Sequence, residues 1–341
     1  MSRRVAEPDQ SLLSLYGHPG PYISAFVIRG DDENIEHRDS QIQQLLARGA
    51  SRQAVDALTA RLALPVYGDV GGQAIIAADD GTTISFTSHE GPAHDWWFLD
   101  SLPYAAPLFE WEQWRVPHLT VVAGDAGFEV VEFIPDQEPA VRPAGTDEHE
   151  AARRIGRLAR DCEVELIAMG GRPEAVDKLL PNVRGTVPAG CEVVAIDDDA
   201  GNENSTFADA VVRHVADSVA RRTVSALREF RFLLEHGAAA EGVEQTFQFL
   251  AAGRGDLLIV HDDPDDTRRA FFGPGAFDVS AIELDSCPNN ARMVDLAIRT
   301  ALLAGMEIRV IPSTGDRGPA EDIGVLVRDP SFSSGGNRRS A

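Results

Sequence analysis

Two stretches of the sequence, Val164 to Gly170 (VELIAMG) and Cys191 to Asp197 (CEVVAID), are nearly continuous apolar runs separated by a short helical pattern around Glu174 to Leu180. Short runs of this kind read as strands buried on both faces, which are parallel strands joined by crossover helices. A second instance lies downstream, where DLLIVHD is followed by a helical pattern over Asn289 to Ala304, a stop at Gly305, and the strand MEIRVIP. Strand, helix and strand in that order predict a parallel crossover. An α/β class follows, and 341 residues are enough for two or three domains.

The periodicity divides the chain into three α/β domains, at 1–115, 116–222 and 223–330, with a polar tail at 331–341 too poor in apolar residues to pack. In the first, a short helix around Leu12 to Tyr16 precedes a strand at Tyr22 to Ile28. Ile42, Leu45 and Leu46 fall at helical spacing up to Gly49, and Ser51 is placed to cap a second helix bearing Val55, Leu58 and Leu62. GGQAIIAADDGTTISF then reads as two strands about an Asp80-Gly81 turn, and DWWFLD as a further strand. Trp96, Trp97, Trp111 and Trp114 are expected to pack the junction of the first and second domains. In the second domain HLTVVAG and GFEVVEF form a hairpin, Pro135 to Thr146 a loop, and Asp147 to Arg160 a helix. A long helix from Phe207 to Glu235 leads into the third domain, where a further helix precedes DLLIVHD and IGVLVRD is the last strand.

The charge sum is −23, and of 31 basic residues only Lys178 is a lysine. Such a surface repels nucleic-acid phosphates unless its arginines are gathered on one face, which disfavours duplex DNA readers and polybasic membrane binders. No apolar run approaches the roughly 20 residues needed to cross a bilayer. MSRRVAEPDQ carries no apolar stretch behind its arginines, so a cytoplasmic location is expected. Cys162, Cys191 and Cys287 have no paired spacing and predict neither a disulfide framework nor a zinc site.

Two groups of arginines are candidates for an anionic partner. Arg153, Arg157 and Arg160 form one helical stripe opposite Ile155, though acids in the first turn and bases later also suit a solvated face that complements the helix dipole. Arg221, Arg222, Arg228 and Arg231 lie on the long helix, where Asp209 with Arg213 and Asp217 with Arg221 have the spacing of exposed ion pairs. Other chemistry has little support. His89 and His94, with Glu90 and Asp95, lack a third spaced metal ligand; the acid runs Asp197 to Asp199 and Asp262 to Asp266 match no calcium loop and are expected to be solvated. There is no Walker loop, no dinucleotide fingerprint and no nucleophile elbow, so no cofactor and no metal is expected.

The serial order of GPYISAFV, GGQAIIAADDGT, LPYAAPLFEWEQWRVPHLTVVAGDAGFEVVEF, the Gly253 to Val260 segment, and AGMEIRVIP followed by IGVLVRD resembles the bacterial relatives of the archaeal and eukaryotic class-I peptide-chain release factor family, in particular the actinobacterial branch of Balon-type ribosome hibernation factors. The likeness spans about residues 11 to 330. It implies a ribonuclease-H-like middle domain, a C-terminal domain similar to the ribosomal-protein L7Ae fold, and a body that enters the ribosomal A site. Hydrolytic members use a Gly-Gly-Gln tripeptide on a mobile middle-domain loop. Here Gly71, Gly72 and Gln73 lead directly into a first-domain strand, which reads as a turn and strand entry. The equivalent loop position, IPDQEPAVRPAGT, is short, with Arg142 as its single base, and no Asn-Ile-Lys-Ser codon-reading motif is present.

The expectation is therefore a binding factor that occupies the A site during stress or dormancy, more readily a non-enzyme than an enzyme. Arg142, Arg153, Arg157, Arg160, Arg221 and Arg222 are its candidate rRNA contacts, and its acidic face would meet solvent or a basic partner such as a ribosomal protein or an elongation factor. A peptidyl-tRNA hydrolase acting in ribosome rescue through Gln73 or a residue no motif marks, and a stress-linked paralogue that no longer binds ribosomes, are the alternatives.

Overall fold

The computed structural model describes residues 7–18, 20–29, 35–65, 70–88, 91–135, 137, 139–196, 207–312 and 318–327. The polar tail, His89, Glu90 and the Asp197 to Asp199 run lie outside them. The chain is a mixed α/β protein whose described residues form four sheets. It divides into two compact units, Met1–Trp111 with Ala226–Ala341, and Glu112–Ser225.

In the first unit, helix α1 (Glu7–Leu15) leads to β1 (Tyr22–Ile28), helices α2 (Ile35–Ala47) and α3 (Arg52–Leu62), and strands β2 (Gly72–Ala77), β3 (Thr83–Ser88) and β4 (Trp96–Asp100). The four strands are antiparallel in the order β3-β2-β1-β4. Ser51 caps α3, its Oγ accepting the Ala54 amide at 3.1 Å, as the sequence predicts. LPYAAPLFEWEQ holds a helix the periodicity did not reveal, α4 (Ala106–Gln113), whose buried first turn is Ala106 to Phe109.

The second unit opens with β5 (His118–Gly124) and β6 (Gly127–Phe133), the expected hairpin. The segment read as a loop contains β7 (Ala140–Gly145), paired antiparallel with β6. Val141 lies opposite Val131, and Pro143 is tolerated because β7 is an edge strand. Helix α5 (Glu148–Asp161), β8 (Leu166–Gly171), α6 (Pro173–Arg184) and β9 (Glu192–Ala195) follow, and the sheet order is β7-β6-β5-β8-β9 with β6 alone reversed. This is the ribonuclease-H-like arrangement implied for the middle segment. Alternate residues of β8 face opposite layers: Ile167 and Met169 meet α5 and α6, while Leu166 and Ala168 meet Val211 and Val215 of α7 (Phe207–Glu235).

Helix α7 runs across the boundary, and its last turns carry Phe230 and Leu233 onto the C-terminal sheet. That sheet is β10-β16-β11-β15, built from β10 (Ala239–Glu241), β11 (Leu257–His261), β15 (Glu307–Ile311) and β16 (Ile323–Leu326), with β11 and β15 parallel as predicted. Helix α8 (Val243–Ala251) and helix α9 (Met293–Leu303) cover the other face. Between β11 and α9 lies a small sheet absent from the sequence reading, β12 (Arg269–Phe272), β13 (Val279–Ser280) and β14 (Asn289–Arg292). The helix expected from Asn289 starts at Met293, because Asn289 and Asn290 pair with Phe272 and Phe271.

One apolar cluster in the first unit draws on both ends of the chain: Leu12, Phe26 and Tyr104 share it with Phe247, Leu258, Ala297 and Ile298. Trp96 and Trp111 pack against this cluster and Trp97 against the α3 side of the same sheet. Trp114 is partly exposed. Among the described residues no helix is long and apolar enough to cross a membrane.

In the second unit α5 approaches the turn after α6 closely at Gly156, where a Cβ would stand 2.7 Å from Thr186 Oγ1 and 2.8 Å from its carbonyl oxygen. Gly156→Ala gains up to about 1 kcal/mol of helix propensity but incurs overpacking strain of about 1–3 kcal/mol. Thermal unfolding is expected to show a Tm a few degrees lower, while Gly185→Ala, with ordinary contacts at 3.5 Å, leaves it unchanged or higher.

Candidate functional site

Gly72 and Gln73 are the first residues of β2, in register with Ile28 and Val27 on one side and Ser88 and Thr87 on the other. Gln73 is only 4% exposed. Its amide nitrogen donates to Ser85 Oγ at 2.8 Å and its carbonyl oxygen accepts from Arg29, which also donates to the Leu62 carbonyl. The Arg29 amide donates to the Gly71 carbonyl. All the side-chain polar atoms of Gln73 are thus spent inside a sheet, and the tripeptide is not the mobile, exposed element that ordering a hydrolytic water requires.

The basic candidates divide by what neutralises them. Arg142, on β7, forms an ion pair with Glu132 at 2.6 Å. Arg221 pairs with Glu192 of β9 and Arg222 with Glu165 Oε2 at 2.7 Å, so the helix is tied to the sheet. Arg160 donates to the Thr186 carbonyl at 2.6 Å beyond the end of α6. Arg231 lies 3.6 Å from Glu241.

Arg153 and Arg157 are different. Both are exposed on α5, and neither is in an ion pair or hydrogen bond among the described residues. Arg154, not singled out from the sequence, shares this state. At 3.6 residues per turn the three fall within about 100° of arc. The helix beneath them is firmly set: Asp147 caps it by accepting the Glu150 amide at 2.8 Å, and Ala151, Ile155 and Ala159 are fully buried. The result is an uncompensated triple positive charge on a chain of net charge −23, with guanidinium forks suited to bidentate phosphate contact.

A second constellation, in the first unit, was not legible as a group. Asp262, at the end of β11, was expected to be solvated, but its carboxylate accepts from Arg292 at 2.8 Å and from the Tyr104 hydroxyl. The Arg292 guanidinium stacks over the Tyr104 ring at 4.6 Å. Asp295, on α9 and only 1% exposed, lies 3.5 Å from Arg292 and accepts the Ala105 amide at 3.4 Å. These long contacts compensate burial poorly. Burial raises the Asp295 carboxyl to about 8, against the pull of Arg292 and with the Asp262 charge adding to the rise. Burial and Asp262 likewise push the Tyr104 phenol up. For Arg292 burial opposes the charge, yet Asp295 and Asp262 carry it above its ordinary range.

The cluster borders a cavity of about 290 Å³ lined also by Arg48, Phe98, Leu99, Asp100 and Arg269. Arg269 spans it to Asp100, with one bond at 2.8 Å. The acid run is thereby divided: the Asp262 side chain is only 9% exposed, Asp266 is held by Arg268 at 2.7 Å, and Asp263 and Asp265 stay exposed. No group of three or more metal-ligating side chains occurs among the described residues, and Asp95, expected near His94 in a turn, instead bonds Arg38 at 3.2 Å and the Ile28 amide at 2.8 Å. The one sequence signal for the cluster was an acid inside the apolar helix MVDLAIRTALL.

No family model matches the chain, and no curated protein sequence is detectably similar to it. Solved structures to which it is similar include an archaeal translation termination factor, aRF1, at 13% identity and a TM-score of 0.25, covering 94% of this chain and 98% of that one. They also include the model of ribosome-bound archaeal Pelota and ABCE1, at 13% identity and 0.42 over 95% of each chain, and S. cerevisiae Dom34, at 10% identity and 0.38 over 77% of this chain and 81% of that one.

Because the folded state holds the Asp295 proton up to about pH 8 and an unfolded aspartate releases it near pH 4, stability falls as pH rises through that window. Asp295→Asn removes this dependence. Chemical denaturation at pH 5 and pH 8 is expected to find the variant gaining on the parent by about 1 kcal/mol or more as the pH rises.

Proposed function

We propose that the chain is a release-factor-like, ribosome-associated protein that occupies the A site as a hibernation or stress factor and does no bond chemistry there. The observation that carries the reading is the set of exposed, unpaired Arg153, Arg154 and Arg157 on a capped helix of an otherwise acidic molecule. Self-repulsion makes such a set costly to keep unless an anion meets it, and rRNA phosphates are anions of the right spacing and chemistry. The sheet-bound Gln73 supports the non-hydrolytic half of the reading, and the serial resemblance over residues 11 to 330 supports the release-factor-like half. Arg142, Arg160, Arg221 and Arg222, each held by a partner within its own unit, contribute less than the free three.

The physical action is steric: a seated protein body excludes tRNA from the site it fills. The acidic remainder faces solvent or basic protein, where its charge is not opposed to phosphate.

Co-sedimentation with vacant 70S ribosomes tests the reading. Stoichiometric pelleting at low salt that weakens at moderate salt is expected, with Arg153→Glu and Arg157→Glu together lowering retention on the order of tenfold. A parallel assay on peptidyl-tRNA is expected to show no hydrolysis. Failure of the parent chain to pellet at either salt overturns the proposal.

A further inference from the structure

The small sheet between β11 and α9 carries a surface that neither the fold nor the proposed rRNA contact uses. Residues 270–291 contain no lysine, arginine or histidine, and Asp278, Glu283 and Asp285 are all exposed. Among them stand three large apolar side chains: Ile282 is 66% exposed, Leu284 43% and Phe277 38%.

This is an ordered display. The Gly273 amide donates to the Asp278 carbonyl at 2.7 Å and the Gly275 amide to Asp278 Oδ2 at 2.8 Å. The Ile282 amide donates to Ser280 Oγ at 3.1 Å, and the Cys287 amide to the Leu284 carbonyl at 2.9 Å. Val279 and Cys287 are buried beneath, anchoring both ends, and the Phe277 ring lies over Gly253. Arg254, the residue after that glycine, is engaged over the Phe249 ring. Backbone groups satisfied locally and apolar side chains held outward are the features of a preformed contact surface.

Resting on the ribosome-associated reading above, we propose that the segment Gly275 to Cys287 docks a basic, lysine-bearing segment of a ribosomal protein. The apolar trio supplies the desolvated centre, and Asp278, Glu283 and Asp285 supply a rim whose sign selects a cationic partner and rejects rRNA. The molecule would then meet the ribosome through two surfaces of opposite character: arginines of α5 on RNA, and this segment on protein.

Carbodiimide coupling on 70S ribosomes reads the partner directly, since it joins carboxylates to amines and leaves phosphate-bound contacts unjoined. This chain has a single lysine, so adducts report the partner's lysines with little self-coupling. Mass spectrometry is expected to find Glu283 or Asp285 joined to a lysine of a ribosomal protein. Ile282→Ser with Leu284→Ser, and separately Glu283→Lys with Asp285→Lys, are each expected to lower retention on ribosomes by about fivefold or more at moderate salt, with circular dichroism unchanged. Adducts only at other acids, unchanged retention in both double variants, or photocrosslinking of this segment to rRNA overturns the inference while leaving the ribosomal reading standing. If the parent chain does not pellet at all, both fall together.

Discussion

Arg292 is the charge around which the larger unit closes. It stands just before α9, reaches Asp262 at the end of β11, lies over the Tyr104 ring from the N-terminal part of the chain, and neighbours Asp295 on its own helix. Every one of those groups is buried or nearly so, and a buried guanidinium persists only where its charge and its donors are answered. Tyr104 belongs to the apolar cluster that takes side chains from both ends of the sequence, so the ionic contact and the hydrophobic burial fix the same junction. Placement of the N-terminal sheet against the C-terminal elements depends on it.

Charge is distributed with a similar economy in the second unit. Most arginines there are already answered: Arg142 by Glu132, Arg221 and Arg222 by the acids of β9 and the approach to β8, Arg160 by a carbonyl beyond α6. Arg153, Arg154 and Arg157 remain. Helical spacing alone could not separate these two groups, since a stripe of arginines has the same period whether or not a strand from elsewhere brings it a carboxylate.

Legibility followed the range of the interactions. The Ser51 cap, the hairpin of β2 and β3 and the apolar runs of β8 and β11 are local signals and stand where the sequence puts them. Strand β7 was hidden because three prolines and two acids give Pro135 to Thr146 the composition of a loop, while its pairing energy comes from β6. Strands β12 to β14 are too short to show a period, and Asn289 and Asn290 look like a helix start until Phe271 and Phe272 lie opposite them. Of the candidate site, the α5 stripe was legible without Arg154, and the Arg292 cluster was not visible because its members come from three separated stretches, at Tyr104, Asp262 and Arg292 with Asp295.

By itself the sequence determined the α/β class, the parallel crossovers, the acidic character and the α5 arginines, all of which depend on composition and on periods of a few residues. Tertiary structure alone decided that Gln73 is locked between two strands, that Asp262 is nearly buried against an arginine while Asp263 is exposed, and which arginines are left without an ion-pair partner. The reason is common to all three: each depends on a partner many residues away, and solvation and ion pairing are set by what folding brings alongside.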